Sequence, residues 1–239
     1  MSQLGSRPSF HLSTKAETPY TPRMSSATVS ATPSATGFVR GRVASLVAIA
    51  PLGFWTVLHL WHNLAAFQGA AAWQSAVTEY PHPVAQLVTL VMVLLPLVLH
   101  TVWGIGRLVT SRPNNLRYGF YANLKYALQR LSAIGVLFFL GAHLWLAMLQ
   151  PRLEQGHAEP FAHIALEMHF HRPTLVVYLL GTLGVAYHLA NGLQSFATGW
   201  GLAGSRRAVK QMEWISAVTF VGLLGMSWGA IYALYSAAS

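Results

Sequence analysis

The chain has 239 residues, of which 54% are hydrophobic, 9% are charged and none is cysteine, whereas an average soluble domain is about 25% charged; a soluble globule is therefore excluded. Fifteen Lys and Arg against six acids leave a net charge of +9. The basic residues are sparse between long apolar runs rather than gathered in a stripe, which points to a membrane protein and away from nucleic acid. The lack of cysteine excludes disulfides, thiolate metal sites, haem attached through CxxCH and any iron-sulfur cluster held by this chain alone, so a metal here would need histidine.

Residues 1–37 are rich in Ser, Thr, Pro and Ala and contain no apolar core of about seven residues that would act as a signal peptide. They read as a disordered cytoplasmic tail, leaving 38–239 as the folded domain. Crossing a ~30 Å hydrocarbon core takes about 20 apolar residues at ~1.5 Å each. Five stretches qualify: Ser45 to Phe67, Val84 to Val109, Leu131 to Leu149, Thr174 to Thr198 and Trp214 to Tyr235. Runs such as VTLVMVLLPLVLH lack the alternation of strands, and helices satisfy their own backbone in lipid. The expected fold is all-α, an integral membrane bundle of five helices.

Direction follows from the flanks. Arg7, Lys15, Arg23, Arg40 and Arg42 precede the first span; Arg107, Arg112, Arg117, Lys125 and Arg130 border the second connection; Arg206, Arg207 and Lys210 lie in the fourth. The opposite side has only Arg152 and Arg172, with Glu79, Glu154, Glu159 and Glu167. By the positive-inside rule the N-terminus is cytoplasmic and the C-terminus outside.

Five histidines fall inside spans: His59 and His62 in the first, His100 in the second, His143 in the third and His188 in the fourth. An ionisable residue inside a membrane is costly, so one in each of four consecutive helices calls for an explanation. Helix rise places His59 and His143 roughly 18 to 21 Å from the cytoplasmic edge, and His100 and His188 roughly 6 to 9 Å from it. Two layers of one pair each, ~12 Å apart, is the arrangement for two haems b with bis-His ligation, His59 and His143 for the outer one and His100 and His188 for the inner one. Gly181, Gly184 and Gly192 share the face of His188, and Gly104 follows His100 by four residues; they read either as room for a porphyrin or as small residues that let helices approach. His62 lies ~4.5 Å beyond His59 and either competes as a ligand or sits near a quinone. The loop residues His82, His157, His163, His169 and His171 read as solvated.

The segments PLGFWTVLHLWHN, LPLVLHTVWG, LQRLSAIG followed by GAHLW, and YHLANGLQSFATGWG resemble the di-haem cytochrome b membrane-anchor subunits of succinate:menaquinone oxidoreductases and quinol:fumarate reductases, over about 200 residues from Val39. The resemblance places the iron ligands on His59, His100, His143 and His188 and leaves out His62. It implies a bacterial cytoplasmic membrane, menaquinone as the quinone substrate, and flavoprotein and iron-sulfur partner subunits on the cytoplasmic side. The chain would carry electrons without acting on succinate itself. Arg130, within the LQR sequence, becomes a candidate for an inner haem propionate, with its role as a positive-inside anchor the competing reading. Glu79 and His62, with Tyr80 nearby, become candidates for a quinone site at the outer end. Some fumarate reductases of the family carry a glutamate two residues before the fourth ligand; here that residue is Ala186. Two alternatives stay open at this point: a di-haem cytochrome b of another quinone-linked enzyme, and a proton-coupled transporter with a histidine relay.

Overall fold

The computed structural model describes residues 35–78, 87–110 and 120–238. Among the described residues five helices are long and apolar enough to cross a membrane: Gly37–Gln68, Leu87–Thr110, Tyr121–Glu154, Arg172–Gly199 and Arg206–Ser236, termed the first to fifth spans. All the described elements are helical. The expected tail lies outside the described residues as far as Ser34, and the first described helix, Ala35–Val47, begins before the expected domain boundary. The first, third, fourth and fifth spans overrun the expected stretches at both ends because helix does not stop where hydrocarbon ends, and the expected start of the second, Val84, lies outside the described residues. The third begins ten residues early, at Tyr121 in the polar sequence YANLKYALQR, whose Lys, Leu, Gln and Arg are good helix formers.

Prolines interrupt three of the spans at widened turns. Pro51 lies within the π-helical turn Ala48–Gly53 of the first. Pro96 follows the turn Leu90–Leu94 in the second, and Pro151 follows Trp145–Leu149 in the third. A proline lacks the N–H that would bond the carbonyl four residues earlier and pushes against it, and a wider turn absorbs both defects.

Chain reversals have local causes. After the fourth span Gly201, at φ 78°, takes the left-handed conformation. Its N–H donates to the Thr198 carbonyl at 3.1 Å, and that of Leu202 to Ala197 at 2.9 Å. This double bond pattern closes a helix end and suits glycine, which has no Cβ to clash. The fifth span opens on Ser205, whose hydroxyl accepts from the Ala208 N–H at 3.1 Å, the usual N-cap bond.

The 3–4 connection, expected as a loop, contains a further helix, Phe161–Phe170. Phe161, Ile164, Ala165 and Met168 are buried, at the i, i+3, i+4, i+7 spacing of one helical face. They join Ala66, Trp73, Phe139, Tyr178, Ile231, Ala233 and Leu234 in the main apolar cluster, so the helix caps the end of the bundle where the first and third spans finish. Gln74, just beyond the first span, clamps the cap: its Oε1 accepts from the Phe161 N–H at 2.9 Å and its Nε2 donates to the Glu159 carbonyl at 3.4 Å.

Elsewhere large apolar side chains face outward, among them Phe54, Trp61, Phe138 and Trp214. In water such a surface would be unstable; against lipid chains it is the required one. One third of the apolar window of the fourth and fifth spans is buried, against 6% in the first three. The last two spans thus form the packed side of the bundle together with the cap.

At the opposite, basic end, Lys125 ties three spans together, donating to Glu213 at 3.0 Å and to Gln194 at 3.3 Å. Arg42 lies over the rings of Phe38 and Trp200, at 4.7 and 5.4 Å. Trp200 in turn donates to Ser45 Oγ at 3.0 Å.

Candidate functional site

The four intramembrane histidines singled out by depth meet as two pairs. His59 of the first span and His143 of the third have ring centroids 5.9 Å apart at 67°. His100 of the second and His188 of the fourth are 6.1 Å apart at 71°. Each pair joins facing helices, and neither mixes the layers.

The vertical separation of the pairs can be read from their neighbours. On the fourth span Tyr178 touches His143, while His188, ten residues on, touches Gln129 and Ser132 of the third span. At ~1.5 Å per residue the layers are about 15 Å apart, somewhat more than the ~12 Å expected from span edges. The pair His59/His143 lies toward the capped end and His100/His188 toward the basic end.

Polar partners orient the rings. His143 Nδ1 lies 3.1 Å from the Tyr178 hydroxyl, and Phe139 stacks on the same ring at 5.5 Å and 19°. His188 Nδ1 lies 3.2 Å from Gln129 Nε2 and 3.4 Å from Ser132 Oγ. Gln129 also donates to the His188 carbonyl at 3.1 Å and accepts from Asn191 at 2.8 Å. His59 is held within its own helix. Trp55 stacks on it at 4.6 Å, and Asn63, four residues on, donates to its carbonyl at 2.8 Å with its amide 3.5 Å from Nε2. Trp73 completes that group, donating to Asn63 Oδ1 at 3.2 Å.

This geometry suits one class of metal group. A metal-bound imidazole nitrogen sits about 2 Å from the ion, which puts two rings on opposite sides of one iron at a centroid separation of about 6 Å. In His143 and His188 the Nδ1 atom faces a polar partner, leaving Nε2 for coordination, the division of labour usual for ligating histidines. Two imidazoles alone are too few for a bare structural ion that takes four ligands. Among the described residues no group of three or more His, Asp or Glu gathers to complete such a set. A porphyrin would supply the four nitrogens that the protein does not.

The other expected site residues fall as follows. His62 is half-buried one turn beyond His59, toward the capped end. Glu79 and Tyr80 lie outside the described residues, as do His82, Arg112 and Arg117. Arg130 follows Gln129 at the His188 level, with its guanidinium 3.4 Å over the Tyr126 ring. Lys125 is committed to Glu213.

The glycines and the loop histidines can also be placed. The glycines beside His188 serve helix approach: a Cβ on Gly181 would lie 2.1 Å from the Phe139 ring, and one on Gly184 3.5 Å from Val136, so side chains of the third span already fill that space. Gly104 faces open space. Of the loop histidines, His157, His163 and His171 are exposed, as expected, and His163, His169 and His171 also have partners. His163 bonds the buried Glu159, His171 lies 3.4 Å from Glu167, and His169 stacks on Tyr235 with Nδ1 2.9 Å from its carbonyl. Sequence reasoning passed over Tyr178, Ser132, Asn191 and Trp55. Tyr and Ser inside a span carry no distinguishing signal, whereas Asn191, three residues after His188, could have been noticed as a polar residue on the same face.

The profile of the succinate dehydrogenase/fumarate reductase transmembrane subunits matches residues 111–225, which include His143 and His188 with Gln129, Ser132, Tyr178 and Asn191. The match covers just under half of the chain and marks a similarity to that family. The chain is also similar to the succinate dehydrogenase cytochrome b558 subunit of Bacillus subtilis (strain 168), 28% identical over 195 residues, covering 80% of this chain and 94% of that protein. Together with five helices long and apolar enough to cross a membrane, these similarities support a multi-pass membrane-anchor subunit and do not favour the alternative of a histidine-relay transporter.

Proposed function

We propose that this anchor holds two haems b, one between His59 and His143 and one between His100 and His188, and passes electrons between an iron-sulfur subunit at its basic end and menaquinone at its capped end. The observation that carries the reading is the pairing of the four rings at 5.9 and 6.1 Å. The relative's name, a cytochrome b subunit of succinate dehydrogenase, supports haem b as the group and a succinate:quinone oxidoreductase as the complex. When bound, the haems supply reversible one-electron iron chemistry.

The residues of this chain do the rest. Tyr178 and Ser132 face the ligand rings from across the helix interface, Gln129 braces the His188 backbone, and the apolar cap packs over the pair beneath it. Arg130 lies one residue beyond Gln129, where its charge would meet an inner haem propionate. The excess of Lys and Arg at the basic end supports a cytoplasmic placement of that end and of the N-terminus, and fits docking of the flavoprotein and iron-sulfur pair there. For the quinone, the capped end offers His62 next to the first pair, with Glu79 in the connection that follows; a carboxylate and an imidazole are the groups needed to exchange protons with a quinone.

Single His→Ala substitutions in the assembled complex test the pairing through reduced-minus-oxidised spectra and haem content. His59→Ala and His143→Ala should abolish the same spectral component, and His100→Ala and His188→Ala the other. Loss of different haems from His100→Ala and His188→Ala would refute the assignment.

A further inference from the structure

His188 has two polar atoms within reach of Nδ1, and their chemistry separates their roles. The carbonyl oxygen of His188 can only accept, and it takes Gln129 Nε2 at 3.1 Å; at the other end of the same amide, Asn191 Nδ2 donates to Oε1 at 2.8 Å. These two bonds fix which end of Gln129 is nitrogen. The atom 3.2 Å from His188 Nδ1 is therefore an NH2, which has no acceptor capacity. Ser132 is different. Its hydroxyl donates to the Gln129 carbonyl at 3.0 Å, so its lone pairs remain available toward Nδ1, 3.4 Å away.

A neutral imidazole that gives its Nε2 lone pair to a metal carries its proton on Nδ1 and needs an acceptor there. We infer that Ser132 Oγ is this acceptor, and that Ser132 is a positioning residue that sets the donor strength of His188 toward its iron while Gln129 braces the two backbones. The chain of bonds runs from His188 Nδ1–H to Ser132 Oγ, from Ser132 O–H to the Gln129 carbonyl, and from the Gln129 amide back to the His188 carbonyl. It links the third and fourth spans in a closed circuit at one layer only. At the other layer the atom facing Nδ1 of His143 is the phenol oxygen of Tyr178. The inference rests on the reading of His188 as an iron ligand.

Accepting a proton from Nδ1 makes the ring a stronger donor and favours the oxidised iron. The test is a redox titration of each haem, followed optically in the assembled membrane complex, together with haem content. Ser132→Ala should retain both haems and raise the potential of the haem lost in His188→Ala, by an amount on the order of a tenfold change in its reduction equilibrium, 59 mV for one electron. Ser132→Thr keeps the hydroxyl and should restore the wild-type value; Ser132→Cys, a weak acceptor of similar size, should shift it in the same direction as Ser132→Ala. Unchanged potentials in Ser132→Ala overturn the inference, as does a shift confined to the other haem. Loss of haem in both Ser132→Ala and Ser132→Cys would assign the residue to packing and equally overturn it. Failure of the underlying reading looks different: His188→Ala would then keep both haems.

Discussion

Gly181→Ala is the smallest substitution expected to damage the layer beneath the cap. The added Cβ would lie 2.1 and 2.2 Å from Cδ2 and Cγ of Phe139 and 2.8 Å from its Cβ, where carbon contacts normally lie at about 3.5–4.0 Å. Swinging the whole phenyl group about the Cα–Cβ bond would relieve the first two contacts. It cannot move the Phe139 Cβ, so the third and fourth spans would have to part by roughly 0.7 Å to reach the lower end of that range. Nor is the ring free to turn, because it is stacked on His143 and set edge-on to Tyr178, both at 5.5 Å. Overpacking of this kind costs about 1–3 kcal/mol, a factor of roughly 5 to 150 in the equilibrium between the assembled and the opened layer. Measured as haem per subunit, with spectra resolving the two components, Gly181→Ala should deplete the haem of His59 and His143 and spare the other. Adding Phe139→Ala should restore it by vacating the space. Gly222→Ala, where a Cβ would meet nothing within 4 Å, serves as the control and should behave as wild type. Full occupancy of both haems in Gly181→Ala would show that the close approach of these two spans does not support the pair.

Two other substitutions probe what holds the ends together. Gln74→Ala removes both bonds to the cap and leaves the Phe161 N–H beside a buried ring without its acceptor, which should cost about 1–3 kcal/mol and appear as faster hydrogen exchange across Phe161–Phe170; exchange no faster than in the wild type would mean that the apolar face alone seats that helix. At the basic end, the Lys125–Glu213 pair has side-chain exposures of 19% and 42%, so a double-mutant cycle with Lys125→Ala and Glu213→Ala should give a coupling of about 1 kcal/mol or less, diminished by salt; a much larger coupling would mean the pair is shielded by lipid or a partner.

What could be read from the sequence was what depends on distance along one helix. Span number follows from apolar length, and the meeting of His59 with His143 and of His100 with His188 was foreseen because depth is residue count times rise. What could not be read depends on rotation between helices. Tyr178 and Ser132 look like ordinary polar residues in a span until the fourth helix is turned to face the third. The glycines near His188 left two readings open for the same reason, and only the position of Phe139 decides between them. The cap helix escaped notice differently: Phe161, Ile164, Ala165 and Met168 are periodic, but four residues in a short segment full of His and Glu fall well below the length of a membrane span.

The two pairs share a construction that the residue types alone do not disclose. In each, one ring is secured across a helix interface, His143 by Tyr178 and His188 by Gln129 and Ser132, and both of those rings come from the antiparallel third and fourth spans. The partner at the capped layer, His59, is held by groups of its own chain segment, Trp55 stacked on the ring and Asn63 on its carbonyl. The third and fourth spans therefore act as a frame that fixes one ring per layer, against which the first and second spans present the other. Because Tyr178 and His188 lie on one helix and Ser132 and His143 on the other, each helix of that frame carries a ring for one layer and a brace for the opposite layer. A shift of either helix along its axis would misplace a ring at one end and a brace at the other, so the spacing of the two layers is set by the register of a single helix pair.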